Sequence, residues 1–541
     1  MRSLFLALAL ACAPAAAFAG APVAKLEQGR VSGAARDGVA SYLGLPYAAP
    51  PVGDLRWRPP QSPPTWTGVR DASVMSPDCV QGRMPGAAAG APQSEDCLYL
   101  NIWRPERGRR LPVLVWIHGG AFVNGGSSSP ETFGEALAAR GIVVVTFNSR
   151  LGRLGFFGFP ALSAERPEEP KVNYGLMDQV AALKWVKHNI AAFGGDPDDI
   201  TLMGESAGGI AVNLLLGSPQ TPGLFQQAVI QSGGGRDLLG KERRVAQDLP
   251  GSPSAETIGK AFAAKRGVAG EGAAALAALR ALPAEKVTGD LSMMSLVLAG
   301  GGALHAGPVV DGKVVTATPE AMFKAGGARP MPVIIGATSA DLSLDMTPAK
   351  DAIFARFGAR ADAARAIYDP DGTLSPAALN RAIGGDRSMV EPARFAARSL
   401  AASSPVYAYR FAYVAQAKRA ASPYGADHAS DVAYSFDLLQ AMYPGQVGEA
   451  DRKVAGTWAD YLVNFVRTGD PNGPGLADWP TYDAKSDRLM LVGADGGFAA
   501  GADPWRPRLD LIEAQADAVS AQRGPVFFRR MARPSHLSKS S

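Results

Sequence analysis

The chain has 541 residues, of which 47% are hydrophobic and 19% are charged, and its formal net charge is +4. The small charge and the lack of a long basic block argue against a nucleic-acid partner. The length suits two average domains, but no linker rich in Pro, Gly or Ser divides the chain. We therefore expect one domain over residues 20–541, with long insertions and a flexible tail from about residue 520.

The first 19 residues have the layout of a secretory signal peptide. Arg2 precedes the apolar run 4–11, and Ala-Phe-Ala at 17–19 supplies small residues around a cleavage point before Gly20. This run is too short to span a bilayer, and no later stretch has the length of a membrane helix. A lipid anchor on Cys12 is an alternative, although Ala9 stands where lipoprotein signals usually have Leu. We expect a periplasmic or secreted protein without a transmembrane segment.

The cysteine count agrees with export. Cys12 would leave with the signal peptide, so the mature chain keeps Cys79 and Cys97. Two cysteines in an oxidising compartment favour one disulfide, which would stabilise the fold by roughly 3 kcal/mol. Two unrelated buried thiols are the alternative.

Short apolar runs rich in Val, Ile or aromatic residues predict buried strands at 113–117, 142–147, 200–203, 228–231, 333–335 and 406–411. Helical periodicity lies between them, most clearly in 177–190, where apolar residues recur at intervals of three and four. Alternating strands and helices predict an α/β fold with a mostly parallel sheet covered on both faces. The Ala- and Gly-rich stretch 256–282 reads as helical, in a cap or insertion over the sheet edge.

Residues 204–208 read Gly-Glu-Ser-Ala-Gly and match the G-x-S-x-G turn that presents a nucleophilic serine. The apolar run 200–203 enters the turn, and 209–216 reads as the helix that leaves it. Glycines on both sides of Ser206 let the strand and the helix approach closely. This strand–turn–helix context predicts Ser206 as the nucleophile of an acyl-transfer site.

A second glycine-rich segment, His-Gly-Gly-Ala-Phe at 118–122, directly follows the predicted strand 113–117. It has the form of a loop that donates backbone N–H groups to an oxyanion. We predict Gly120 and Ala121 as donors, joined by Ala207 after the nucleophile, and losing one such donor costs roughly 3–4 kcal/mol. A plain turn at the strand end is the alternative, and His118 is expected to pack under the loop.

With their neighbours, these motifs resemble the type B carboxylesterase and cholinesterase family. The resemblance covers nearly the whole mature chain, in the family's order, through GLPYAAPPVG (44–53), SEDCLYLNI (94–102), NI (189–190), FGGDP (193–197), PVVDG (308–312) and the stretch 458–469 followed by DPN (470–472). It implies an α/β-hydrolase fold with large insertions, a disulfide between Cys79 and Cys97, and hydrolysis of a small-molecule ester by a serine triad. No metal or organic cofactor is required, and the sequence has none of the familiar zinc spacings.

The base of the triad is expected among five histidines. His118 lies in the oxyanion loop, His188 precedes the serine on a helix, and His536 sits in the polar tail. His305 precedes the motif 308–312 and is a candidate binding residue. His428, in Gly-Ala-Asp-His-Ala-Ser-Asp-Val, remains as the base and matches the family's histidine loop.

The acid of the triad is predicted to be Asp341. It stands five residues after Gly336, which ends the predicted strand 333–335, at the position where the family more often has Glu. Its expected role is to accept the Nδ1–H of His428, fix the tautomer and stabilise the imidazolium. Asp345 is the alternative acid.

Two side chains are expected around the triad by analogy with the family: Glu205 would tune the field at the histidine, and Ser232 would contact the acid. Two departures from the family pattern are expected to affect substrate choice. Ala121 stands where Gly is usual, and Ser149 replaces a more usual Tyr in Asn-Tyr-Arg. Neither removes a catalytic group.

Two other functions compete with ester hydrolysis. An inactive binding or adhesion protein on the same fold would typically lose the nucleophile or the histidine, so the retention of Ser206, Asp341 and His428 argues against it. An amidase would use the same triad, but no extra group for protonating an amine is recognisable. The sequence thus predicts the reaction, and it specifies neither the ester nor an oligomeric state.

Overall fold

The computed structural model describes residues 21–82, 91–236, 242–293, 295 and 305–522. The expected signal peptide at 1–19, the alternative lipid anchor Cys12, and His536 lie outside these residues. The same holds for residues 523–541 of the expected tail, whereas residues 520–522 belong to the last described helix. Over the described part of the chain, every helix is too short or too polar to cross a membrane.

Within the described residues, eleven strands form one mixed sheet. From one edge to the other it contains Phe498–Ala502, Arg488–Val492, Val406–Phe411, Val333–Thr338, Gln227–Gln231, Gly195–Glu205, Leu111–Ile117, Val143–Phe147, Tyr99–Pro105, Val39–Pro46 and Ala34–Arg36. The seven strands from Arg488–Val492 to Val143–Phe147 run parallel, and the outer strands pair antiparallel. The predicted α/β fold with a mostly parallel sheet is therefore confirmed.

Among the described residues there are also one three-stranded sheet and two strand pairs. They are Val23–Lys25 with Arg30–Ser32 and Val69–Asp71, Asp78–Cys79 with Gln93–Ser94, and Phe156–Phe157 with Val172–Asn173. The strand Asp78–Cys79 contains one of the two cysteines, and Cys79 forms a disulfide with Cys97.

All six predicted strands belong to the large sheet, and they are buried because both faces are covered. Every residue of Val143–Phe147, Gln227–Gln231, Val333–Thr338 and Val406–Phe411 is buried, as expected of strands between two helical layers. Gly195–Glu205 begins earlier than its apolar run predicts, and its pairing shifts register between Gly195 and Ile200. The first half of this strand was not predicted, because its residues are mostly polar.

Helices cover both faces of the sheet. The α-helices are Glu135–Ala139, Gly152–Gly155, Pro160–Glu165, Tyr174–Asn189, Ala207–Gly217, Ala255–Lys265, Ala273–Arg280, Ala284–Thr288, Pro319–Lys324, Lys350–Ala355, Ala361–Tyr368, Pro376–Gly385, Glu391–Leu400, Val432–Ser435, Leu439–Met442, Glu449–Thr468 and Arg506–Gln522. Short 3₁₀ turns lie at Gly53–Leu55, Pro130–Thr132, Ile190–Phe193, Gly358–Arg360 and Gln416–Lys418, and a π turn lies at Asp386–Val390. The stretch 256–282 contains two helices, which separate where Gly267 and Gly270 adopt positive φ.

The sheet divides the core into two layers. Val113, Val115 and Ile117 of one strand pack into the larger cluster, and their neighbours Leu114 and Trp116 pack into the cluster on the opposite face. This alternation follows from the two-residue period of a strand. The strand Leu111–Ile117 is thereby held rigidly from both sides, and its carboxyl end carries the glycine-rich loop.

Four neighbouring parallel strands end at the same edge of the sheet. The chain passes from Leu111–Ile117 into the glycine-rich loop, from Gly195–Glu205 into Ser206, from Gln227–Gln231 into Ser232, and from Val333–Thr338 toward Asp341. Ligand sites of open α/β sheets lie at the carboxyl ends of the strands. The sheet therefore brings together residues that are more than 200 positions apart in the chain.

Candidate active site

Ser206 sits in a sharp turn between the strand Gly195–Glu205 and the helix Ala207–Gly217. Its backbone is strained, with φ 54° and ψ −121°, and its N–H donates to Gln231 O over 2.9 Å. Backbone strain of this kind persists only where the surroundings enforce it. Here the adjacent strand enforces it, and the strain projects the hydroxyl from the edge of the sheet.

The glycines of this turn are required by close packing. A Cβ on Gly204 would lie 2.5 Å from the carbonyl carbon of Gly208, and a Cβ on Gly208 would lie 2.1 Å from Ile117 O. A Cβ on Gly209 would lie 2.6 Å from the Cα of Gly233. The strand and the helix can approach this closely only because these positions lack side chains.

His428 links Ser206 to Asp341. Its Nε2 lies 2.9 Å from Ser206 Oγ, and its Nδ1 lies 2.6 Å from Asp341 Oδ1. Because an ionised carboxylate can only accept, Nδ1 carries the proton and Nε2 is left to accept from the serine hydroxyl. The three side chains thus form one continuous hydrogen-bonded chain.

Asp341 is buried and held as a carboxylate by several donors. The Oγ of Ser232 lies 2.6 Å from its Oδ2, the N–H and Oγ1 of Thr338 each lie 2.9 Å from the same oxygen, and the N–H of Leu342 lies 2.6 Å from Oδ1. Burial would raise the pKa of Asp341, but His428 and these donors outweigh it and lower the pKa to about 2. The shorter Asp therefore serves this position without a gap.

Glu205 lies on the other side of the histidine. Its Oε1 is 3.3 Å from His428 Nε2, the nitrogen that also faces Ser206, and it has no hydrogen-bond partner among the described residues. Burial raises the pKa of Glu205 above its ordinary value. Burial would lower the pKa of His428, but the carboxylates of Glu205 and Asp341 outweigh it and raise that pKa.

The loop that carries His428 is fixed to the strand ends. Ala340 donates its N–H to Ala426 O over 2.8 Å, and the N–H of Ala426 donates to Ser339 Oγ over 3.0 Å. These two bonds tie the loop of the acid to the loop of the histidine. The distance between Asp341 and His428 is consequently set by the backbone.

The glycine-rich loop lies against Ser206. A Cβ on Gly119 would lie 2.4 Å from Glu205 Oε2 and 3.2 Å from both Glu205 O and the Cβ of Ser206, so a side chain there would have to displace Glu205. Gly120, Ala121 and Phe122 all have positive φ, of 103°, 54° and 61°. The methyl group of Ala121 packs beside Val123 and the buried cluster around it, so alanine is accommodated in the left-handed region.

The predicted oxyanion donors have free N–H groups. Among the described residues, none accepts a hydrogen bond from the backbone N–H of Gly120 or Ala121. The N–H of Ala207 belongs to the first turn of its helix, where no intrahelical acceptor exists. The positive end of that helix favours negative charge at the same place.

The remaining histidines and the alternative acid lie in other environments. His188 is exposed and its Nδ1 bonds to Lys184 O, whereas the Nε2 of partly buried His305 lies 3.1 Å from Gly307 O. His118 bonds to the carbonyl of the next residue through Nδ1, and burial lowers its pKa. Asp345 pairs with the guanidinium of Arg356 over 2.9 Å. None of these contacts involves Ser206.

Sequence reasoning missed two residues that support the predicted triad. Thr338 binds the acid through both its N–H and its hydroxyl, and the signal was its place at the end of the strand before Asp341. Asp431, three residues after His428, accepts hydrogen bonds from Tyr409 (2.7 Å) and Gln231 (3.0 Å) on the sheet. Burial raises the pKa of Asp431 to about 6. It anchors the histidine loop from below.

The chain was compared with known proteins. The sequence model described as "Carboxylesterase family" matches residues 20–367 and 369–501. The fumonisin B1 esterase of Sphingopyxis macrogoltabida is 36% identical over 495 residues, covering 88% of this chain and 87% of that protein. The para-nitrobenzyl esterase of Bacillus subtilis (strain 168) is 33% identical, with 87% and 94% covered.

Solved structures of esterases have the same fold as this chain. A structure titled PNB esterase superimposes with a TM-score of 0.74 at 30% sequence identity, covering 91% of this chain and 99% of that one. A thermophilic PNB esterase gives a TM-score of 0.75 at the same identity. The family match over nearly the whole chain and the shared α/β-hydrolase architecture lead to one conclusion: the chain belongs to the carboxylesterase family.

Proposed function

We propose that this carboxylic ester hydrolase acts through a covalent acyl-enzyme formed on Ser206, with His428 as general base and Asp341 as its orienting acid. The observation that carries the proposal is the unbroken chain of hydrogen bonds, 2.9 Å from Ser206 to His428 and 2.6 Å from His428 to Asp341. Both distances are within the reach that proton transfer requires.

Acylation begins when Ser206 Oγ attacks the ester carbonyl and its proton passes to His428 Nε2. The imidazolium that forms is stabilised by Asp341 at Nδ1 and by Glu205 near Nε2. His428 then returns the proton to the departing alkoxide, and the alcohol leaves. The acyl group remains on Ser206 as an ester.

The oxyanion of the tetrahedral intermediate is assigned to the N–H groups of Gly120, Ala121 and Ala207. Their freedom from other acceptors supports this role, because preorganised donors need no rearrangement during the reaction. In the second half-reaction His428 takes a proton from water, which attacks the acyl-enzyme. Collapse of the second intermediate releases the carboxylic acid and restores Ser206.

The substrates we propose are small-molecule carboxylic esters. Two relatives are named as esterases, one for fumonisin B1 and one for a para-nitrobenzyl ester. Their names differ in the ester they specify, so the resemblance supports the reaction more closely than any single substrate.

We also propose that the protein works as one domain, residues 20–541, outside the cytoplasm. A sheet that incorporates strands from Ala34–Arg36 to Phe498–Ala502 supports the single domain, and the disulfide suits an oxidising compartment. The N-terminal sequence of the protein from its native host should begin at Gly20. An N-terminus at Met1, or a lipid on Cys12, would contradict the signal-peptide proposal.

Covalent labelling tests the mechanism. A p-nitrophenyl phosphonate should release one equivalent of p-nitrophenol and add its phosphonyl group to the peptide that contains Ser206, as seen by mass spectrometry. Ser206→Ala should not be labelled, and Ser232→Ala should still be labelled at Ser206. Labelling at another residue would refute Ser206 as the nucleophile.

A further inference from the structure

A glutamine outside the triad holds the far end of the oxyanion loop. Gln81 Nε2 donates to Gly125 O over 2.7 Å, and its Oε1 accepts the N–H of Gly125 over 2.9 Å. Its amide thus pairs with both backbone groups of one residue, 44 positions along the chain. The amide of Gln81 thus uses both its donor and its acceptor on the backbone of Gly125.

Asn124 reinforces the same contact. Its Nδ2 donates to Gly82 O over 2.7 Å and to Gln81 Oε1 over 3.3 Å. Four hydrogen bonds among six atoms therefore form one compact network, which we call the Gln81 clamp (Gln81, Gly82, Asn124 and Gly125).

The clamp is connected directly to the oxyanion donors. The N–H groups of Val123 and Asn124 both donate to Gly120 O, over 3.0 and 2.9 Å. This turn starts at Gly120 and contains Ala121, so the clamp fixes its closing end. A shift of Asn124 would be passed to the peptide units that carry the predicted donor N–H groups.

The Gln81 clamp and the oxyanion loop are closely packed. A Cβ on Gly120 would lie 2.1 Å from Asn124 O, and a Cβ on Gly125 would lie 2.4 Å from His118 Nδ1. On the other side of the clamp, a Cβ on Gly82 would lie 1.8 Å from Leu291 O. Packing as close as this transmits a displacement and leaves little room to absorb it.

The clamp is in turn attached to the disulfide. Gln81 lies two residues after Cys79, and its Nε2 also donates to Cys79 O over 3.1 Å. The disulfide joins Cys79 to Cys97, and the short parallel pair Asp78–Cys79 with Gln93–Ser94 flanks it. The strained turn at the active site is therefore braced by a covalently closed segment.

We propose that Gln81 is a positioning residue for the oxyanion hole, holding Gly120 and Ala121 where the transition state needs their N–H groups. The proposal rests on the proposed function, since it assumes that these N–H groups stabilise an oxyanion. Donors that must sit within a few tenths of an ångström lose much of their effect when they are displaced. Gln81 acts on the reaction through the loop and touches no substrate.

The test compares Gln81→Ala and Gln81→Met with the matched control Gln93→Ala. Gln81→Met keeps the volume of the side chain and removes its hydrogen bonds, so it covers the case in which Gln81→Ala fails to fold. Gln93 lies on the same disulfide-closed segment, and among the described residues its side chain makes one hydrogen bond, accepting the backbone N–H of Gln81 over 3.3 Å. Steady-state hydrolysis of p-nitrophenyl butyrate is measured for each variant.

We expect kcat to fall at least about tenfold in both Gln81 variants, with KM changed less than about threefold, because only transition-state stabilisation is lost. Gln93→Ala should keep kcat within about twofold of the wild type. A boronic acid, which mimics the tetrahedral intermediate, should bind the Gln81 variants about tenfold more weakly, whereas a substrate-like amide inhibitor should bind unchanged.

The outcomes separate this inference from the proposed function. If the wild type hydrolyses the ester and Ser206→Ala does not, but Gln81→Met keeps wild-type kcat and boronate affinity, Gln81 has no positioning role. A Gln81→Met protein with a lowered melting temperature and unchanged kcat would likewise assign it to stability alone. If the wild type itself is inactive on esters and unreactive with the phosphonate, the proposed function fails first.

Discussion

The nucleophile turn and the oxyanion loop follow neighbouring strands of the same sheet, but they are held in different ways. The turn at Ser206 is shaped by backbone packing, since Gly204 and Gly208 press the helix against the strands and Ser206 N–H bonds to Gln231 O. The loop that follows Leu111–Ile117 carries three successive residues with positive φ and depends on Gln81.

The geometry of the turn at Ser206 is thus set by steric contacts, and that of the oxyanion loop depends on side-chain hydrogen bonds. A turn enforced by sterics cannot relax without moving two elements of the core, so a Cβ added to one of its glycines must displace backbone. A loop held by a side-chain amide can relax when that amide is removed. We therefore expect substitutions around Ser206 to cause large losses, and substitutions in the brace of the oxyanion loop to cause graded ones.

The largest effect is expected at the acid. Asp341→Asn should lower kcat about 10⁴-fold, because an amide no longer fixes the tautomer of His428 or stabilises the imidazolium. The control is Asp345→Asn, whose carboxylate pairs with Arg356 and should leave kcat nearly unchanged. Loss of activity in Asp345→Asn with a fully active Asp341→Asn would mean that the acid was wrongly assigned. Steady-state kinetics on p-nitrophenyl butyrate measure both.

Gly208→Ala should cost about 100-fold in kcat/KM, since a methyl group 2.1 Å from Ile117 O must displace the nucleophile turn. Alanine favours a helix interior by about 1 kcal/mol over glycine, so propensity cannot explain a loss. Gly272→Ala is the control, because its Cβ would meet open space outside this turn. Equal activity of both variants would show that the turn is not sterically enforced.

Removing the disulfide sharpens the comparison. The double variant Cys79→Ser, Cys97→Ser should lose about 3 kcal/mol of unfolding free energy, because the cross-link no longer restricts the unfolded chain. In this background Gln81→Met should lower kcat less than it does in the disulfide-bonded protein, since the clamp has already lost its support. Urea unfolding measures the loss of unfolding free energy, and steady-state kinetics measure kcat. Fully additive effects on kcat would separate the clamp from the disulfide.

The smallest effect is a shift in pH dependence. Catalysis needs neutral His428, whose pKa is raised by Glu205 and Asp341, so activity is lost as pH falls through that raised pKa. Glu205→Gln removes one of these charges, and the pKa of His428 should fall, moving the acidic limb of kcat/KM about one pH unit lower. The exposed Glu135→Gln should leave the limb in place. A shift to higher pH in Glu205→Gln would contradict the electrostatic argument.

The sequence reached the residues whose chemistry is tied to a local pattern. Ser206 stands in a five-residue motif after an apolar run, and His428 was identified by elimination and by the family's loop. The structure brings both within hydrogen-bonding distance of each other, while their catalytic roles stay predictions. The start of a strand was less accurate where polar residues precede the apolar run, as the early start of Gly195–Glu205 illustrates.

The supporting contacts were beyond the sequence for a physical reason. Asp431 accepts hydrogen bonds from Tyr409 and Gln231, which meet only because of the order of strands in the sheet. Thr338 binds Asp341 locally, but the sequence does not show that both its N–H and its hydroxyl point at that carboxylate. Gln81 meets Gly125 through a contact that spans 44 positions of the chain, beside Cys79 of the disulfide. A glutamine amide can bind any exposed backbone group, so no periodicity or spacing in the sequence predicts which group Gln81 contacts.

The most direct test of the account is rapid-mixing hydrolysis of p-nitrophenyl acetate by the purified mature protein beside Ser206→Ala. Because deacylation is expected to limit turnover, we predict a burst of about one equivalent of p-nitrophenol per enzyme. Acid quench should trap an acetyl group on Ser206. Neither signal should be seen in Ser206→Ala. Turnover that survives in Ser206→Ala, or an acetyl group on another residue, would contradict the central claim.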